Sequence, residues 1–138
     1  MCTGSGCILL SILHEIRKEE KMRIQGTGTD VSEKALETAR ENAESLHIRA
    51  DFLHSDLFDK VEGTYQMIVS NPPYVTRAEM RELDRSVYHY EPHEALYGGV
   101  DGLDFYRSIC SKWGSLLVTG GIILFECGWQ QAIDVVAI

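Results

Sequence analysis

Asn71-Pro72-Pro73-Tyr74 is the segment of this chain whose residue types most clearly suit a chemical task. Two adjacent prolines fix the backbone and cannot continue a strand ladder, so the tetrapeptide makes a rigid stop behind the β-forming run Tyr65-Gln66-Met67-Ile68-Val69-Ser70. A planar NH2 group, in a carboxamide or an adenine, offers two hydrogens, and the Asn71 side-chain oxygen and the Pro72 carbonyl are suited to accept one each. The face of Tyr74 suits the positive character that builds on such a nitrogen when it attacks. Methyl transfer from a sulfonium is an in-line displacement in which alignment supplies much of the rate without a strong base. The bland alternative is a strand-terminating turn with a packed tyrosine, and the whole tetrapeptide after this strand weighs against it.

A second constellation stands at the start of the chain. Cys2-Thr3-Gly4-Ser5-Gly6 is a glycine-rich loop that would let backbone N–H groups approach a nucleotide closely. Alone it is weak evidence, since glycine also serves ordinary turns. Asp30 strengthens it, because an acid at the end of the next strand can accept hydrogen bonds from ribose hydroxyls. A capping or turn role for Asp30 is the alternative, and Ser32 already supplies the cap. A dinucleotide loop of the G-x-G-x-x-G type starting at Gly4 would need glycine at Leu9, and the shifted frame would need it at Cys2 and Cys7, so an oxidoreductase reading falls below methyl transfer.

These segments need elements to position them. Apolar residues Ile8, Leu9, Ile12, Leu13 and Ile16 recur at helical spacing and predict a helix over residues 7–21. Residues 22–29 read as a strand ending in Asp30, and Ser32 opens a helix with a buried stripe of Ala35, Leu36, Ala39, Ala43 and Leu46. Residues 48–54 and 65–70 read as strands, 77–85 as a short charged helix, 89–102 as an ordered loop and 103–113 as a helix. Gly120-Gly121 is expected to turn the chain into an apolar strand over 122–126, buried on both faces, before an amphipathic helix over 130–138. Helices alternating with apolar strands imply a doubly wound α/β domain with a parallel sheet, and no internal repeat or linker interrupts it.

Composition excludes several classes. At 138 residues and 44% hydrophobic the chain fits one globular domain, and it has neither a membrane-length apolar run nor a signal-peptide pattern, so a cytoplasmic protein is expected. The net charge of -8 argues against a broad basic surface for duplex nucleic acid. Arg77, Arg81 and Arg85 could share one helix face near the site, although a solvated face explains them better. Cys2, Cys7, Cys110 and Cys127 form no C-x-x-C pair, and His89 and His93 lack the partner pattern of a metal site, so no metal is expected.

Taken together the segments resemble the bacterial HemK/PrmC family, the release-factor glutamine N5-methyltransferases. The resemblance rests on Cys2 to Gly6, Gly28-Thr29-Asp30-Val31-Ser32 with Ala35-Leu36, Ser55-Asp56-Leu57-Phe58, Ile68 to Tyr74, Glu91-Pro92 with Ala95-Leu96, Gly98 to Gly102 with Tyr106-Arg107, and Gly128-Trp129-Gln130-Gln131. It implies a Rossmann-like class I methyltransferase sheet that uses S-adenosylmethionine to methylate the glutamine of the Gly-Gly-Gln motif in peptide chain release factors. By the same resemblance, Cys2, Thr3, Gly4, Ser5 and Gly6 would hold the methionine portion of the cofactor. Asp30, with Val31 beside it, would bind the ribose, and Asp56 and Leu57 would flank the adenine. Asn71, Pro72, Pro73 and Tyr74 would receive the glutamine, with Asn71 also contributing on the cofactor side. Family members carry a strand ending in an acid before the glycine loop, an N-terminal helical domain and further C-terminal strands. The expectation is therefore one incomplete methyltransferase domain over residues 1–138, truncated at both ends, with an open sheet centre and weak cofactor binding. The rival readings are an N6-adenine methyltransferase on DNA or RNA, a ribosomal-protein glutamine methyltransferase, and an inactive fragment.

Overall fold

The computed structural model describes residues 1–18, 24–84 and 91–138, which fall into two compact units, Met1–Gly63 and Thr64–Ile138. Lys21 and Met22, where one predicted helix ends and a strand begins, lie outside the described residues, as do Arg85 and His89.

The first unit begins with helix α1 (Cys7–Arg17), followed by β1 (Thr27–Asp30), α2 (Glu33–Ser45) and β2 (Asp51–His54). β1 and β2 pair in parallel, Thr27 with Asp51 through Asp30 with His54. The strands are shorter than the sequence predicts: residues 24–26 and 48–50 lead into the ladder without joining it. Ser32 is the N-cap of α2, its Oγ accepting from the Ala35 N–H at 3.2 Å. Of the predicted stripe, Leu36, Ala39 and Ala43 are buried, whereas Leu46 sits at the helix C-cap and is exposed. Leu10 and Leu13 of α1 pack with Ala43 and Ile48, and with Leu9, Ala50 and Phe52 around them. Gly26 admits this cluster, because a Cβ there would lie 2.8 Å from Leu9 and 2.9 Å from Leu13.

In the second unit β3 (Tyr65–Ser70) pairs in parallel with β4 (Leu117–Phe125), joined by α3 (His93–Leu96) and α4 (Asp104–Lys112) and followed by α5 (Ala132–Val136). β3 has the predicted bounds. The predicted helix over 77–85 is only a 3-10 turn, Glu79–Arg81, and part of the 89–102 loop winds into α3. Gly120-Gly121 does not precede the last strand but lies inside it, where the register shifts between Tyr65 and Met67; Gly120 takes φ 80° at the irregularity. Nor is this strand buried on both faces. Ile122 and Leu124, with their register partners Met67 and Val69, form one face of the ladder, and Met67, Ile122 and Leu124 are 42–48% exposed. The last helix is shorter than the 130–138 segment, and Ile133 and Val136 face outward at 83% and 87% exposure, so its apolar side has no described cover. The buried interior of this unit centres on Tyr106 and Ile109 of α4, with Tyr106 edge-on to Phe125 of β4, ring centroids 5.2 Å apart.

The parallel pairing and alternating helices are those of the expected α/β methyltransferase class, with one two-stranded ladder in each unit.

Candidate functional site

In the first unit the glycine loop is built on left-handed backbone. Cys2, Gly4 and Gly6 take φ of 50°, 51° and 79°, which curls the chain so that Gly6 N–H donates to the Thr3 carbonyl and Gly6 N-caps α1. Thr3 N–H donates to the Thr29 carbonyl at 2.9 Å, fastening the loop to β1. Gly4 N–H donates to Asp30 Oδ2 at 2.8 Å, and Asn42 Nδ2 of α2 donates to the Ser5 carbonyl at 2.9 Å. Glycine is needed beside the loop as well: a Cβ on Gly28 would stand 2.8 Å from Thr3 Oγ1 and 2.9 Å from the Phe52 ring.

Asp30 therefore joins two segments. Its Oδ1 accepts from the Ser32 N–H at 3.0 Å while Oδ2 holds Gly4. The turn role set against a ligand role in the sequence is present after all, alongside the Ser32 cap. The roles are compatible, since each carboxylate oxygen has a second lone pair. The Asp30 carbonyl accepts from Ser55 N–H at 3.0 Å, which brings the next segment alongside. There Ser55 is buried, its Oγ accepting from Lys60 N–H and donating to the Leu57 carbonyl, and this tight turn sets Leu57 at φ 45° and leaves Asp56 exposed. Val31 is 52% exposed, and its carbonyl accepts from His54 Nε2 at 2.7 Å. Cys2 to Gly6, Asp30, Val31, Asp56 and Leu57 thus gather at the carboxyl ends of adjacent parallel strands, where α/β sheets bind ligands. A Cβ on Gly4 would meet nothing within 4 Å, so the loop backbone has open space beside it.

In the second unit Asn71 to Tyr74 leave the end of β3 into a tightly filled corner. Pro72 is fully buried, Pro73 buried, and Asn71 and Tyr74 half-buried. Among the described residues the Asn71 side chain makes no hydrogen bond, so its amide is available to a ligand. The Ser70 carbonyl just before it accepts from Glu126 N–H, and the Glu126 carbonyl accepts from the buried Tyr106 hydroxyl at 2.9 Å. On the other side Val75 N–H donates to the Leu96 carbonyl and Gly98 N–H to the Val75 carbonyl. The approach there is close: a Cβ on Gly98 would lie 2.6 Å from the Pro73 carbonyl oxygen, and one on Gly102 2.3 Å from that of Tyr74. The segment over 98–102, set by the sequence in a loop, is thus the backing of the Asn-Pro-Pro-Tyr corner.

Residues the sequence did not single out for a role complete it. Gln131 Nε2 donates to the Tyr74 carbonyl at 3.0 Å, and its Oε1 accepts from Gly128 N–H at 3.1 Å. Arg107 bridges Asp101 and Asp104 across the mouth of α4, and its guanidinium holds the Asp101 carboxyl below the usual carboxylate range. Thr76 and Glu79 form a capping box, Glu79 Oε2 accepting from Thr76 N–H and Thr76 Oγ1 from Glu79 N–H; the Thr76 N–H, with the Thr76 hydroxyl after it, lowers the Glu79 carboxyl. The T-x-x-E spacing was the legible signal for that pair. Arg77 donates to the Tyr97 hydroxyl, so it is tied locally; Arg85 lies outside the described residues.

A cleft of about 660 Å³ runs past Tyr74 and Trp129, with the carboxylates of Glu79, Glu82, Asp101 and Asp134 on its walls. Among the described residues no group of three His, Cys, Asp or Glu could hold a metal ion, and His89 is not among them. No helix of the described residues is long and apolar enough to cross a membrane.

Comparison with known proteins gives one consistent family. A family model described as "Methyltransferase small domain" matches residues 1–87. The release factor glutamine methyltransferase of Bradyrhizobium diazoefficiens is 42% identical over 96% of this chain, and that of Agrobacterium fabrum 41% identical over 99%. A ribosomal protein uL3 glutamine methyltransferase of Neisseria meningitidis is 43% identical over 96% of the chain. The chain spans less than half the length of these relatives, 44%, 46% and 43% respectively.

Proposed function

The chain belongs to the methyltransferase small domain family, and we propose that it transfers a methyl group from S-adenosylmethionine to the side-chain amide nitrogen of a protein glutamine, that of the Gly-Gly-Gln motif in peptide chain release factors. The observation that carries this reading is the Asn71 to Tyr74 corner, with an unengaged carboxamide on a backbone held by buried prolines and close-packed glycines. The similarity to release factor glutamine methyltransferases along almost the whole chain supports the acceptor class.

The donor supplies an electrophilic methyl on a sulfonium. The residues of the first unit fit such a ligand: the left-handed loop over 2–6 has open space at Gly4 for close backbone approach, and Asp30 keeps lone pairs for two ribose hydroxyls. Val31 and Leu57 offer apolar surface to the adenine, and Asp56 an acceptor for its amino group. On the acceptor side, Asn71 Oδ1 and the Pro72 carbonyl would accept the two amide hydrogens and leave the nitrogen lone pair free for in-line attack on a methyl donor. Tyr74 would face the nitrogen as it gains positive character, which favours transfer to an otherwise poor nucleophile: the N–C bond forms as the S–C bond breaks, S-adenosylhomocysteine leaves, and one amide proton passes to solvent. Residues 1–138 belong to one methyltransferase domain, which would work in the cytoplasm where release factors act.

The acidic walls of the cleft past Tyr74 favour a protein acceptor over an adenine in DNA or RNA, because a phosphate backbone brought there would meet carboxylates. A glutamine of ribosomal protein uL3 is the second reading, favoured by the similarity to the Neisseria enzyme. Incubation of the full-length protein with methyl-labelled donor and release factor, uL3 or DNA separates them. Label is expected in release factor and absent when its Gly-Gly-Gln glutamine is replaced; label in DNA alone would overturn the reading.

A further inference from the structure

We propose that Gln131 is a positioning residue for methyl transfer, holding the acceptor corner in register through its carboxamide; this rests on the reading of Asn71 to Tyr74 as the acceptor platform. The side chain spans two backbones. Nε2 donates to the Tyr74 carbonyl at 3.0 Å and Oε1 accepts from Gly128 N–H at 3.1 Å. Only this orientation of the amide satisfies both partners, since a carbonyl can only accept and an N–H only donate.

Two glycines vacate the space the carboxamide occupies. A Cβ on Gly102 would lie 2.4 Å from Gln131 Nε2, and one on Gly128 2.7 Å from Oε1. The same Gly102 Cβ would be 2.3 Å from the Tyr74 carbonyl oxygen, so Gly102, Tyr74 and Gln131 meet at one point. The base of the clamp is itself fixed: Gln131 N–H donates to the Gly128 carbonyl at 2.8 Å, closing the turn, and the Gln131 carbonyl accepts from Val135 N–H in α5. By contrast Trp129, two residues before, is 88% exposed, and Ile133, two residues after, 83%. Gln131 is thus half-buried between outward-facing neighbours, and what it grips is the carbonyl of the last platform residue. Nothing in this arrangement lets Gln131 touch the reacting atoms directly; it acts through Tyr74.

The test uses two variants in the full-length protein. Gln131→Met keeps the length and removes both bonds. Gln131→Glu keeps the acceptor for Gly128 N–H but sets a carboxylate oxygen against the Tyr74 carbonyl. With release factor as acceptor, kcat is expected to fall about 10- to 100-fold in both, the range for small misplacements of a reacting group, while donor affinity by calorimetry and the melting temperature stay close to wild type. Amide exchange over residues 71–76, followed by mass spectrometry, is expected to quicken in both variants. Wild-type kcat in Gln131→Met would overturn the proposal, as would a loss of folding in both variants, which would make the residue merely structural. If the wild type methylates no protein glutamine, the functional reading fails, and the exchange measurement still decides the clamp: unchanged exchange over 71–76 overturns it.

Discussion

The unit Met1–Gly63 secures its loop with an acceptor, the Asp30 carboxylate, which takes N–H groups from Gly4 and Ser32. The unit Thr64–Ile138 secures Asn71 to Tyr74 by removing side chains around it, at Gly98 and Gly102, and by gripping one carbonyl with Gln131. A hydrogen-bonded tie loosens in steps as donors lose their acceptor, whereas a packed tie fails abruptly when a methyl group is inserted. The difference matches the tasks proposed for each: a nucleotide tolerates small adjustments of its hydrogen bonds, while an in-line displacement does not tolerate a displaced acceptor.

The sharpest way to break this comparison is to add one methyl to a glycine in each unit. Gly102→Ala puts a Cβ into the Tyr74 carbonyl at φ 76° and should destabilise the protein by ~3 kcal/mol through overpacking and left-handed strain; thermal melting and methyl transfer should both collapse. Gly4→Ala, at φ 51° with open space around it, should cost only the strain, ~1 kcal/mol. Equal losses in the two variants would show that both loops are held the same way.

Asp30→Ala comes next. It strands two backbone N–H groups and should lower stability by ~2 kcal/mol, with donor affinity by calorimetry falling at least about tenfold through the lost ribose contacts. Unchanged donor binding would take Asp30 out of the proposed site. Ser32→Ala removes the cap of α2 alone and should cost ~1 kcal/mol in a denaturant titration while sparing the acceptor corner.

The smallest effect concerns pH. The Thr76 bonds depress the Glu79 carboxyl in the folded protein, so the unfolded chain binds its proton first as pH falls. That stabilisation is complete above the ordinary glutamate range, about 4.3, and is lost as pH drops through the depressed folded value. Glu79→Gln should flatten this acid limb of stability and leave neutral pH almost untouched; an unchanged limb would show that the capping box is not what titrates.

Much of this was legible because local rules agreed with the fold. Tyr65 to Ser70 is β-forming and ends at two prolines, so its bounds were readable to the residue, and Ser32 followed by the Leu36, Ala39 and Ala43 stripe announced α2. The glycine loop and Asp30 read as parts of one site at the strand ends, but the sequence assigns Asp30 to the ribose and does not foretell that it also accepts from Gly4 N–H. What failed depended on partners distant in sequence. The 122–126 run is apolar enough for double burial, yet periodicity says nothing about which face finds a neighbour, and Ile122 and Leu124 are half-exposed. Gly120-Gly121 looked like a turn because a bulge and a turn use the same residue. Gln131 stands in the Gly128 to Gln131 segment of the resemblance but carries no role there. A glutamine in an amphipathic stretch reads as surface, and only the Tyr74 carbonyl, 57 residues earlier, reveals its task.

The meeting of Gly102, Gly128 and Gln131 has a consequence for how such a sequence can drift. A longer residue at 128 needs a shorter one at 131, a longer residue at 102 meets the Tyr74 carbonyl whatever stands at 131, and a shorter residue at 131 leaves a hollow beneath that carbonyl. Single changes at these positions should therefore be rejected, so among relatives Gly102, Gly128 and Gln131 should be retained together across the 30 residues from 102 to 131.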